Sequence, residues 1–165
     1  MASNQPVFRE PDLSARPYNL AVDRLISVSP ERLFNAWTKE FDVWFAAPES
    51  VLMQGKINTP FFFETEFRPD GSSEVQRHPH YGRFLALIPD RLVKITWVTG
   101  AGGTEGAETI VTVEFIPKGE KTLLKLTHSG FPNDESKKRH EQAWPMVVEQ
   151  LAKIYTEKQI QRRDR

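Results

Sequence analysis

The stretch from Val51 to Thr127 constrains the fold most, because it reads as a series of short alternating strands joined by tight turns. Phe61, Phe62, Phe63, Thr65 and Phe67 make an aromatic strand, and Asp70-Gly71 is a favoured hairpin turn. Tyr81 to Ile88 returns toward Pro89-Asp90. Val93, Ile95 and Trp97 then share one face, as do Thr109, Val111, Val113 and Phe115. Gly119 turns the chain again, and Thr122 to Ser129 sets Leu124, Leu126 and His128 opposite Lys125 and Thr127. Such a meander has one apolar face, which must be covered.

The cover is supplied downstream. After Gly130-Phe131-Pro132, Asn133 or Asp134 can cap a long helix with a buried stripe of His140, Trp144, Val147, Val148, Leu151, Ile154 and Tyr155. Pro145 inside it predicts a kink near Glu141 to Trp144. Upstream, Leu20, Val22, Ile26 and Val28 alternate as a first strand, with Arg24 the one misfit on the inward parity, there to snorkel or to line something polar. Ser29-Pro30-Glu31 starts a helix carrying Leu33, Phe34 and Trp37. A second short piece with Phe41, Val43, Trp44 and Phe45 stops at Pro48. The expected fold is α+β of the helix-grip kind: a curved antiparallel sheet of about six or seven strands around a long C-terminal helix, with two short helices after the first strand. Residues 1–19, polar and rich in proline, read as an N-terminal arm on the surface or loose, and 20–160 as one domain.

Charge and composition narrow the function. Lys plus Arg and Asp plus Glu number 22 each, so no net basic field would draw nucleic acid or an anionic membrane. With no cysteine there are no disulfides or thiolate sites, and a reducing compartment is acceptable, so the cytoplasm is the default expectation. No apolar run approaches the roughly 20 residues of a membrane span, and prolines and charges interrupt any secretory core near the N-terminus. The 18 aromatic residues, 11 Phe, 4 Trp and 3 Tyr, are enough to line an apolar pocket between sheet and helix.

Ordered along the chain are Val28-Ser-Pro-Glu-Arg-Leu-Phe-Asn-Ala-Trp37, Trp44-Phe45-Ala-Ala-Pro48, Tyr81-Gly82-Arg83, Pro89-Asp90-Arg91-Leu92-Val93 and Thr96-Trp97. Thr112-Val113-Glu114-Phe115, Leu126-Thr-His-Ser-Gly-Phe-Pro132 and His140-Glu-Gln-Ala-Trp144 follow. On these segments the chain resembles the SRPBCC (START-like, birch-pollen-allergen-like) superfamily. Within it the likeness is to bacterial proteins similar to the C-terminal domain of the activator of heat-shock-protein-90 ATPase. The resemblance covers roughly residues 20–155 and implies a hydrophobic ligand cavity. Ala143 stands where the family usually has glycine, and Pro145 follows the tryptophan, so the helix over the cavity is expected to differ.

The candidate cavity residues are Trp44, Phe63, His78, His80, Tyr81, Trp97, Val111, Val113, His128, Trp144 and Val148. His78-Pro79-His80 and His128 offer three imidazoles, but no fixed-spacing carboxylate accompanies them, and no metal or other cofactor is expected. His128 with Trp97 and Trp144 reads either as an orienting tip for a ligand's polar end or as a satisfied core group. Glu64, Glu66, Glu108 and Glu114 read as outer-face residues, and no serine sits at a nucleophile elbow, so no catalytic residue is assigned. The glycines between Thr99 and Ala107 suggest a mobile hairpin, serviceable as a lid. Lys137-Lys138-Arg139 reads as a solvated face. The expected partner is therefore a small hydrophobic or amphipathic molecule. A co-chaperone role beside a heat-shock-protein-90-type chaperone is the alternative, and an enzyme using the cavity as active site a second.

Overall fold

A computed structural model describes residues 9–67 and 73–163, with side chains to Gln159. The Asp70-Gly71 turn lies outside the described residues. Six strands form one antiparallel sheet: β1 (Tyr18–Ile26), β2 (Pro60–Phe67), β3 (Gln76–Ile88), β4 (Leu92–Trp97), β5 (Thr109–Lys118) and β6 (Lys121–Phe131). Their order is β1-β6-β5-β4-β3-β2, so the first strand lies beside the last. Two short helices, α1 (Pro30–Thr38) and α2 (Phe41–Trp44), follow β1, and the long α3 (Asp134–Arg163) follows β6. This is the expected α+β arrangement with a curved sheet.

Local chemistry explains the boundaries. The Ser29 hydroxyl accepts from the Arg32 N–H at 3.3 Å, with Pro30 and Glu31 behind it, so α1 begins where its free amides find partners. Asn133 caps α3 in the same way, accepting from the Ser136 N–H at 2.8 Å. Strand parity then fills the interior: Val93, Ile95, Val111, Val113, Phe115, Leu124 and Leu126 are wholly buried. On α3, Trp144, Val148, Leu151, Ala152 and Tyr155 are buried against them. Arg24 resolves as the snorkelling case: its guanidinium reaches Glu149 of α3 at 3.0 Å, exposed to solvent.

Helix α3 is continuous through Pro145, whose ring leaves the Glu141 carbonyl without its usual i+4 donor. The N-terminal arm is shorter than residues 1–19, because Tyr18 and Asn19 already pair with β6. Its described part is held to the sheet. The Arg16 guanidinium donates to the carbonyls of Gly130 at 2.8 Å and Glu108 at 2.6 Å, and Lys94 meets Glu10 at 2.8 Å.

Candidate functional site

Aromatic rings occupy the space directly beneath Trp144. Trp37 lies 5.1 Å from Trp44 and 6.2 Å from Trp144, and Trp97 lies 5.3 Å from Trp144, all between ring centroids. Phe45 packs on Phe63 at 5.1 Å and on Trp97 at 6.0 Å. The Trp44 indole N–H donates to the Ala36 carbonyl at 2.8 Å, tying α2 to α1. Contacts at these spacings leave no room between the rings for a guest.

The free space lies to one side of this cluster. An open cleft of about 670 Å³ runs between the β2–β3 end of the sheet and α3. Phe45, Trp97 and Trp144 form its floor, and His80, His140 and Ala143 its walls. Phe67 and Met146, exposed by 55% and 74%, stand at its edge as apolar side chains open to solvent. A neighbouring hollow of about 390 Å³ shares Thr65, His78, His80, Gly102, His140 and Ala143, and continues toward the Thr99–Gly103 loop.

The expected cavity residues therefore divide. His78, His80, Trp97 and Trp144 line the cleft. Phe63 lies one layer below, its ring stacked under His80 at 4.7 Å and 13°. Trp44, Val111, Val113 and Val148 belong to the packed core, because the rings above them fill the hollow they were expected to face. Tyr81 is 47% exposed and packs on Phe62 at 5.5 Å, since strand alternation sends it to the face opposite His80.

His128 is a satisfied core group. Trp144 can only donate, so its indole N–H at 2.9 Å makes His128 Nδ1 an acceptor and places the ring proton on Nε2. Nε2–H in turn donates to the Thr109 hydroxyl at 2.7 Å, which donates to the Trp97 carbonyl at 2.5 Å. Complete burial holds its pKa well below the ordinary 6.5, so the ring stays neutral. Neither nitrogen remains for a ligand.

Strand parity also accounts for the His78-Pro79-His80 segment. These residues pair with β2, but β3 meets β4 only from Phe84 onward, with one bridge at Tyr81–Val98. Proline is tolerated there because the second side of the strand is unpaired. Among the described residues, no three histidine or carboxylate side chains are grouped to hold a metal ion.

The Thr99–Ala107 loop is bonded more closely than its glycines suggested. Thr99 and Thr104 exchange backbone-to-hydroxyl bonds at 2.9 and 2.7 Å. Ser136 of α3 donates to the Gly103 carbonyl at 2.7 Å, and the Asn133 amide to Glu105 at 3.3 Å. The loop and the first turn of α3 thus form one unit at the end of the cleft. The basic run nearby is solvated as expected, with Lys137, Lys138 and Arg139 each paired to an acid one turn away.

Sequence reasoning missed Phe45, Thr65, Phe67, His140, Ala143 and Met146 as cleft residues. The parity that set Phe61 and Phe63 inward extends to Thr65 and Phe67, and His140 and Ala143 share the helical face of Trp144.

A sheet gripping one long C-terminal helix, with an aromatic-floored cleft between them, defines a helix-grip protein. The chain belongs to the family described as activator of Hsp90 ATPase homolog 1-like proteins, whose model matches residues 27–156. A protein from Chromobacterium violaceum is similar in fold, with a TM-score of 0.68 at 23% identity over 84% of this chain and 98% of that one. The AHSA1 protein from Silicibacter pomeroyi shares 26% identity, covering 82% and 95% of the two chains with a TM-score of 0.62. An HSP90 activator from Plasmodium falciparum shares 25%, covering 69% and 74% with a TM-score of 0.51. No curated protein matches the chain. No helix among the described residues is long and apolar enough to cross a membrane.

Proposed function

We propose that the protein binds a small amphipathic molecule in the cleft between β2–β3 and α3, without covalent chemistry. The observation that carries this reading is the cleft itself: about 670 Å³ of open space floored by three aromatic rings, a size and lining suited to a small organic guest. Burial of a ring system against that floor contributes about 25 cal/mol per Å² of apolar surface removed from water. The guest's apolar part faces Trp97 and Trp144, so binding is read directly as a change in tryptophan fluorescence.

Ala143 supplies the test, because it is exposed on α3 and its methyl group lines the cleft. Ala143→Trp puts an indole into the free space. Titration with Nile red, a neutral apolar dye, is expected to show saturable binding to the wild type and at least about tenfold weaker binding to the variant, with the thermal midpoint unchanged. Equal affinity in the two proteins would place any bound dye elsewhere and remove the reading.

A second reading is contact with a heat-shock-protein-90-type chaperone. It is favoured by the family description and by the likeness to the Plasmodium activator. The chain added to such a chaperone is then expected to raise its ATPase rate, and an unchanged rate across a range of concentrations removes this alternative.

A further inference from the structure

His80 on β3 and His140 on α3 stand on opposite walls of the cleft and repeat one arrangement. Nδ1 of His80 lies 2.9 Å from the His78 carbonyl, and Nδ1 of His140 lies 2.8 Å from the Ser136 carbonyl. A carbonyl only accepts, so both neutral rings carry their proton on Nδ1 and leave Nε2 as a bare lone pair. Neither Nε2 has a partner among the described residues. Burial lowers both pKa values, that of His80 to about 4, and the Arg139 charge works in the same direction on His140. Near neutral pH the two rings are acceptors, not cations.

The charged groups around them are already engaged. Arg139, the one arginine or lysine among the described residues that line the cleft and its neighbouring hollow, meets Glu135 at 2.5 Å. Glu66 meets Arg77 at 3.2 Å.

On the reading that the cleft takes an amphipathic guest, we propose that it selects neutral hydrogen-bond donors, flat apolar molecules bearing a hydroxyl group, and rejects the matching carboxylates. A hydroxyl donates to an Nε2 lone pair at His80 or His140 while its ring covers the aromatic floor. A carboxylate offers only acceptors to groups that are themselves acceptors, and loses its hydration without compensation. The same lone pairs give an ether no donor to receive.

Displacement of Nile red from the wild-type protein by naphthol, naphthoate, methoxynaphthalene and naphthalene separates these cases near neutral pH. Naphthol is expected to bind about tenfold more tightly than any of the other three, the value of one well-made hydrogen bond. In His80→Phe and His140→Phe, naphthalene affinity is expected to hold while the advantage of naphthol shrinks in at least one variant. Naphthoate or methoxynaphthalene binding as well as naphthol overturns the proposal without recourse to any variant, as does an undiminished naphthol preference in both folded variants. If none of the four compounds displaces the dye, or the dye does not bind, the cleft-binding reading itself fails.

Discussion

Both nitrogens of His128 are used by the protein, whereas His80 and His140 each keep one, and all three rings are held neutral by burial. This has a consequence for acid stability. A histidine whose folded pKa lies below its unfolded value binds fewer protons when folded, so its stabilising contribution is complete above the unfolded pKa and is lost as pH falls below it. For His80 that window runs from the ordinary 6.5 down to about 4. Each such ring steepens the loss by up to about 1.4 kcal/mol per pH unit. The urea midpoint is expected to fall continuously across this window, and His80→Phe, which keeps an aromatic ring over Phe63, to fall less steeply than the wild type. Parallel curves for the two proteins would mean that His80 is solvated. The inward position of His128 was legible from strand parity. Its choice between ligand tip and core group was not, because that turns on whether Trp144 and Thr109 approach within bonding distance.

At the scale of elements, strands and caps could be read from the sequence because each rests on short-range chemistry. Ser29-Pro30-Glu31 starts α1, and β4, β5 and β6 bury the alternating residues that their sequences mark. The bonds of the Thr99–Ala107 loop to Ser136 and Asn133 are not readable in the same way, because glycine content is visible locally whereas those ties cross more than twenty positions. Pro145 lies on the exposed face of α3, which stays continuous through it. Pro145→Ala returns an N–H to the Glu141 carbonyl and relieves the ring's clash with that turn. It is therefore expected to stabilise the fold by about 1–3 kcal/mol, measured by urea denaturation. A destabilised variant would show that the proline sets a helix geometry on which the packing of Trp144 depends.

For the molecule as a whole, the sequence announced a sheet gripping a helix, but not at which end between them the open space lies. Parity shows which side chains face inward, not whether the rings there meet. Trp37, Trp44, Phe45, Phe63, Trp97 and Trp144 do meet, and the open volume is displaced to the β2–β3 end. A guest bound there favours the folded state by mass action, about 2.7 kcal/mol at a hundredfold excess over Kd. For a chain of this size that corresponds to a rise in Tm of about 5–10 °C, measurable by calorimetry, and absent in Ala143→Trp. A shift of equal size in that variant would locate the stabilising ligand outside the cleft. The strand order carries a further consequence. Among the described strands β1 neighbours β6 alone, with Tyr18 opposite Phe131, so β1 emerges from the ribosome about a hundred residues ahead of its mate. Until that late segment arrives, β1 and the facing side of β5 have no strand to pair with, so closing the sheet waits on the last strand to be made.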